Sequence, residues 1–153
     1  PFRNQISHFV GREKVYLPLR PDGIFAFSKH QGSATLCLLE TDRATMPVNA
    51  PRPLKKQSFI RSSIYKKLVA YWRALETEQF KNHYGVNAIL ILFVTTSQAR
   101  IQEMQAVLSD AKGAAGAKKS EGHFLFGCQN AMCAETIFSY LWLRGDGQYK
   151  ALL

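Results

Sequence analysis

The sequence has no uncharged apolar stretch long enough to cross a bilayer. A spanning helix needs about 20 such residues, whereas the longest apolar run, residues 88–94, is strand-sized. No membrane partner is expected. Cysteine is nearly absent: Cys37, Cys128 and Cys133 are odd in number and too few for a disulfide scaffold. That is the pattern of a protein kept reduced, so a cytoplasmic location is expected. The motifs GxSxG, HExxH, GxxxxGK[ST] and GxGxxG are all missing, which leaves serine-hydrolase, zincin and nucleotide-binding chemistry without their signatures. Acids are scarce as well. Eleven Asp+Glu stand against 20 Lys+Arg, for a formal charge of +9 and an isoelectric point near 9.7. Such an excess points to a polyanionic partner, most often nucleic acid, and DNA is the partner expected here. Apolar residues, by contrast, are plentiful. At 46% hydrophobic and 12% aromatic over 153 residues, the chain can bury one proper core, and disorder as its main state is excluded.

The order of elements follows from local chemistry. Residues 15–19 and 23–27 read as short strands joined at Arg20-Pro21-Asp22 into a hairpin-like start, since Pro resists helix and Asp-Gly marks a bend. A turn over residues 29–33, with Gly32, leads into a nearly continuous apolar run at 34–40, the mark of a buried central strand. Three prolines in 46–53 exclude regular structure there. Ser58 then caps a long helix in which Ile60, Ile64, Leu68, Tyr71, Trp72 and Leu75 form a core-facing stripe. Gly85 ends that unit. Residues 88–95 form a second buried strand, and Ser97 caps a helix facing inward through Ile101, Met104, Val107 and Leu108. Residues 112–122 read as a mobile linker, 123–126 as another strand, 134–143 as a last helix and 144–147 as an outward turn. The expected order, βββαβαβ(α), defines an α/β fold with a mixed central sheet flanked by helices.

Three acids sit at strand ends. Asp22 opens the second strand; Glu40 and Asp42 close the third with Thr41 between them, and alternation sends both to one side. If the second and third strands are antiparallel neighbours, Asp22 comes to lie near Glu40. A hard cation such as Mg2+ takes one or two carboxylates plus waters and substrate phosphates, so this grouping offers a Mg2+ site for phosphodiester hydrolysis. On spacing alone, acids at strand ends are more often solvated terminators. Basic segments could follow a DNA backbone: Arg52-Pro53-Leu54-Lys55-Lys56, Tyr65-Lys66-Lys67 and Lys118-Lys119. Two of the three flank the helix after the acidic strand, which would surround the carboxylates with cations.

Pro21-Asp22 followed by Glu40-Thr41-Asp42 resembles the signature of the PD-(D/E)xK nuclease superfamily. Its core is a helix, a three-strand meander, a helix and a further strand, and residues 14–95 match that restriction-endonuclease-like order without its first helix. The surrounding runs Arg20-Pro21-Asp22-Gly23, Leu39-Glu40-Thr41-Asp42-Arg43-Ala44-Thr45, Lys67-Leu68-Val69-Ala70-Tyr71 and Val94-Thr95-Thr96-Ser97-Gln98-Ala99-Arg100 are similar to the replication-relaxation family of plasmid and mobile-element proteins. That likeness covers most of the chain. It implies a DNA-acting domain from a replication or mobilisation protein, with Mg2+ or Mn2+ if active. It also implies a winged-helix domain before this region, and the start at Pro1 without an initiator Met or leader is expected of a fragment.

By the same resemblance, Asp22 and Glu40 would hold the metal. The superfamily places Lys two residues after its strand acid, where this chain has Asp42. Asp42 would then act as a further ligand or base, and Lys67 would supply the cation from the following helix, with Lys66 as its competitor. Arg43 would contact a phosphate or pair with Asp42. Glu13 would stand in for the acid of the absent first helix. The departure at Asp42 equally suits an inactive DNA-binding or protein-interaction module. Exposed Phe or Leu near the C-terminus offers a homodimer surface. His123, Cys128 and Cys133 make a poor zinc site, because the spacing is wrong and a fourth ligand is missing, so the thiols read as free and buried. Tyr71 and Trp72 read as core.

Overall fold

In the first strands, alternation decides what is buried. The computed structural model describes residues 4–30, 33–50, 52, 54–133 and 135–153. Val15, Leu17 and Leu19 of β2 (Glu13–Leu19) face the core, while Lys14, Tyr16 and Pro18 face out. Its antiparallel partner is β1 (Asn4–Val10), and Gly11, at φ 62°, supplies the left-handed turn between them. The expected hairpin of 15–19 with 23–27 is therefore corrected. The bend at Pro21-Asp22 takes the chain out of this two-stranded sheet and into a second one.

That second sheet has six strands in sequence order: β3 (Gly23–His30), β4 (Ser33–Thr41), β5 (Ala88–Thr95), β6 (Phe124–Cys128), β7 (Trp142–Arg144) and β8 (Tyr149–Lys150). The pair β3–β4 is antiparallel, β4–β5–β6 are parallel, and β6–β7–β8 are antiparallel again. Of the turn expected at 29–33, Gln31 and Gly32 lie outside the described residues, as do Pro51 and Pro53 of the proline-rich connection. The central strands are mostly apolar because both faces are covered. Leu36, Leu38, Ile89, Ile91, Phe93, Phe124 and Phe126 meet the helices; Cys37, Leu90, Leu92 and Leu125 meet the C-terminal segment.

Both parallel crossovers lay a helix on the same face: α1 (Ile64–Glu76) and α3 (Gln98–Ala115), with α2 (Gln79–Tyr84) between them in sequence. Ser63 caps α1 by accepting from the Lys66 N–H, at 3.1 Å. The expected cap at Ser58 is corrected: Ser58 lies in a 3-10 turn, Lys56–Phe59, and Ile60 is 72% exposed rather than part of the stripe. Nine of the thirteen residues of α1 are buried, because the β1–β2 hairpin packs on the side away from the sheet. Burying Tyr71 and Trp72 fully contributes roughly 1.5–3 kcal/mol each. Ser97 caps α3 as expected, and Ile101, Met104, Val107 and Leu108 are buried. The helix runs through residues 112–115, however, and ends at Gly116, φ 63°. Buried Ala111 and Ala115 hold those turns, which shortens the expected linker.

No helix forms over residues 135–143. Ala134 lies outside the described residues; beyond it the chain turns repeatedly and enters β7 at Trp142. Phe138 packs edge-on against Phe25 and Phe27, at 6.1 and 5.7 Å between ring centroids, so the apolar residues of this segment cover the second sheet face without forming a helix. Residues 144–147 turn the chain back into β8 instead of outward. Among the described residues no helix is long and apolar enough to cross a membrane.

Candidate acidic site at the carboxyl edge of the sheet

The parallel strands β4 and β5 end side by side, and ligands of such sheets bind beyond those carboxyl ends. Asp22 precedes β3, which runs antiparallel to β4, so it arrives at the same edge. Its backbone N–H donates to the Leu39 carbonyl at 2.9 Å, and its Oδ2 accepts from the Thr41 N–H at 2.8 Å. Asp22 is exposed, and among the described residues it has no cationic side chain against it.

Glu40 is its opposite in environment. Only 1% exposed, it accepts from Tyr71 Oη at 2.6 Å through Oε1 and from Lys67 Nζ through Oε2. Burial pushes its carboxyl above the usual range; Lys67 and Tyr71 pull it down without cancelling the rise, and the charge of Asp22 adds to it. The β3–β4 register, with Gly23 opposite Leu39, brings Asp22 and Glu40 to the same end of that strand pair. Tyr71 is held well above its usual value, first by burial and then by the Glu40 charge. Tyr71 and Trp72 are core residues as expected, but the Tyr71 hydroxyl also belongs to the site.

Asp42 projects to the helix side like Glu40, yet toward a different helix. Arg100 of α3 donates to it through Nε at 2.9 Å and Nη2 at 3.4 Å, and Thr95 Oγ1 donates at 2.8 Å. Burial works against its ionisation, but the hydrogen bonds from Arg100 and Thr95 hold its carboxyl below the usual range. Arg100 also donates to the Met46 carbonyl, fastening the loop after β4. Ala44, in that loop, sits at φ 57°, in the left-handed region that an L residue occupies at a cost of roughly 1–2 kcal/mol. Asp42 is thus paired with Arg100, not with Arg43, which is exposed beyond it.

The expected constellation therefore divides. Lys67 pairs with Glu40, and Asp22 lies at the same strand edge, bonded to Thr41; Asp42 anchors the strand to α3. Glu13 begins β2 at the end away from Asp22, roughly 20 Å along the strand, and takes no part. Of the expected DNA contacts, Lys56 and Lys66 line one groove beside β2, Lys55 is exposed next to them, and Arg43 borders the acids. Cys37 is buried, with burial pushing its thiol up to about 12, but Cys128 is half-buried and Cys133 exposed, which corrects the expected burial of that pair.

Reasoning from the sequence missed Arg100, Thr95 and Tyr71 as site residues. A signal for Arg100 was present. Neither α1 nor α3 has an acid in its first turn, and each carries a cation there, against the helix dipole. A cation so placed gains from a tertiary partner, which two of the three, Lys66, Lys67 and Arg100, find among the described residues. Lys67 finds Glu40, and Arg100 finds Asp42.

Among the described residues no three His, Cys, Asp or Glu side chains gather as an all-protein metal centre. A cation that keeps most of its waters, as Mg2+ does, needs only one or two carboxylates. No family model matches this chain, and neither a curated protein nor a solved structure matches it.

Proposed function

We propose that this domain binds DNA and acts on its phosphodiester backbone as a nuclease-like module, with Mg2+ or Mn2+ held between Asp22 and Glu40. What supports the reading is the Lys67–Glu40 pair at the carboxyl edge of β4, with Asp22 hydrogen-bonded to Thr41 at the same edge, on a chain of charge +9. A bound divalent ion would supply charge neutralisation and an activated water. Asp22 offers an exposed carboxylate pinned through one oxygen to Thr41. Glu40 is held in one orientation by the Tyr71 hydroxyl. Lys67 keeps a positive charge next to the site, where negative charge develops as a phosphodiester breaks. The likeness of the motifs to the PD-(D/E)xK and replication-relaxation patterns supports this reading, and it alone supports a role in plasmid replication or mobilisation.

A second reading has its own observation. Both Glu40 oxygens already have partners and Asp42 is committed to Arg100, which suits a module that binds DNA without cutting it, with Lys67 as its resident cation. Plasmid nicking separates the two. With Mg2+ or Mn2+, the domain converts supercoiled plasmid to nicked or linear forms, and Glu40→Gln and Lys67→Met each slow this by about 100-fold or more. Undiminished cutting by Glu40→Gln refutes the assignment. A wild-type domain that binds DNA but never cuts it establishes the second reading.

A further inference from the structure

Away from the acids, β2, the 3-10 turn at Lys56–Phe59 and the start of α1 enclose a groove of about 490 Å3. Lys14, Lys56 and Lys66 line it, with Tyr16 and Ile60. No carboxylate lines it, and among the described residues none of the three lysines forms an ion pair. Lys66 is half-buried, and burial lowers its affinity for a proton. A partly desolvated ammonium without a counter-charge is costly unless an anion arrives.

The outer face of the hairpin adds aromatic surface. Directly paired residues share a face, so Phe9, opposite Lys14, and Tyr16, opposite Ser7, lie on the same side. They are 56% and 57% exposed, and Lys14 Nζ stands 5.2 Å from the Tyr16 ring centre. Ile60, 72% exposed, continues the apolar surface across the groove. Lone exposed apolar residues need no explanation. Two aromatic rings around a lysine, bordering an unneutralised cationic groove, do.

We infer that this groove and the adjoining hairpin face form a binding path for single-stranded nucleic acid, with the three lysines on the phosphates and Phe9 and Tyr16 stacking on bases. Cations that follow a backbone, interleaved with aromatic platforms, are how proteins hold single strands. A duplex keeps its base faces stacked inside and would leave both rings unused. The path also leads to the acids: Tyr16 is six residues from Asp22, at most about 20 Å of extended chain, and Lys66 adjoins Lys67 on α1. The choice of nucleic acid over another polyanion rests on the proposed function of that neighbouring site.

Fluorescence anisotropy with a labelled oligothymidylate of about 12 nucleotides tests the path, without metal and over a range of salt. Replacing Lys14, Lys56 and Lys66 together by Gln weakens binding and lowers the salt slope by about 2, at about 0.7 per phosphate contact on a single strand. Phe9→Ala with Tyr16→Ala weakens binding by about 5- to 150-fold per lost stack and leaves the slope unchanged. Tighter binding of the matching duplex overturns the proposal, as does equal binding of polyglutamate or of anionic vesicles. So does unaltered binding by both variants, each shown by its thermal melt to stay folded. The two proposals fail separately. Binding that follows these variants without any cutting by the wild type sinks the nuclease reading alone; cutting together with indifferent groove variants sinks the path alone.

Discussion

Replacing Arg100 by Met separates a structural Asp42 from a catalytic one. The change keeps much of the apolar stem and removes the guanidinium. Asp42 then keeps the Thr95 hydroxyl as a donor but no cationic partner among the described residues, in a site where its side chain is 3% exposed and that of Arg100 was 12%. Breaking a buried pair by removing one partner costs about 3–5 kcal/mol, because the other charge stays buried and uncompensated. In a domain of this size each kcal/mol lowers the melting temperature by about 2–4 °C, so a fall of roughly 6–20 °C is expected. Scanning calorimetry or circular dichroism reads it. Arg100→Met with Asp42→Asn should recover part of the loss, since the orphaned charge is gone. The reasoning is refuted if Arg100→Met melts within 2 °C of the wild type, or if the double variant is no better than the single one.

Three more outcomes follow from the same geometry. Asp42 and Glu40 make pH act in opposite directions: the Asp42 contribution is present above its ordinary 3.8 and disappears as pH falls through its lowered folded value, whereas Glu40, raised above its ordinary 4.5, favours folding below that pH and loses this as pH rises. Urea unfolding across pH 2–7 should show the first dependence abolished in Asp42→Asn and the second in Glu40→Gln. Tyr71→Phe deletes the hydroxyl that Glu40 accepts from and should cost about 1.5–3 kcal/mol in the same assay. Ala44→Gly relieves the left-handed backbone and, after the entropy of the freer unfolded chain is subtracted, should stabilise by about 0.5–1 kcal/mol.

What could be read from the sequence was whatever short-range pattern controls. The runs at 34–40 and 88–95 are almost continuously apolar because they lie between two layers, and they form the buried strands β4 and β5. Asp22 comes beside Glu40 because an antiparallel pair brings the start of one strand to the end of the other. Lys67 reaches Glu40 from the helix, as the missing strand lysine suggested. What escaped was settled by tertiary packing. In β1 the pattern is inverted, with His8 4% exposed and Phe9 56%, so the strand does not announce itself. The burial of His8 under Phe59, at 5.3 Å between rings, comes from an element about fifty residues away. Ile137, Phe138 and Leu141 have helical spacing, yet Phe138 serves two phenylalanines of β3 and Leu141 is exposed. The role of Asp42 depended on Arg100, which lies 58 residues along the chain.

A titration of the folded domain with Mn2+, followed by isothermal calorimetry, reaches the claim that Asp22 and Glu40 together hold a divalent ion. The account predicts one saturable uptake in the wild type, abolished in Asp22→Asn and in Glu40→Gln while both variants keep a cooperative melt. Absence of heat in the wild type, or the same uptake after either substitution, contradicts it.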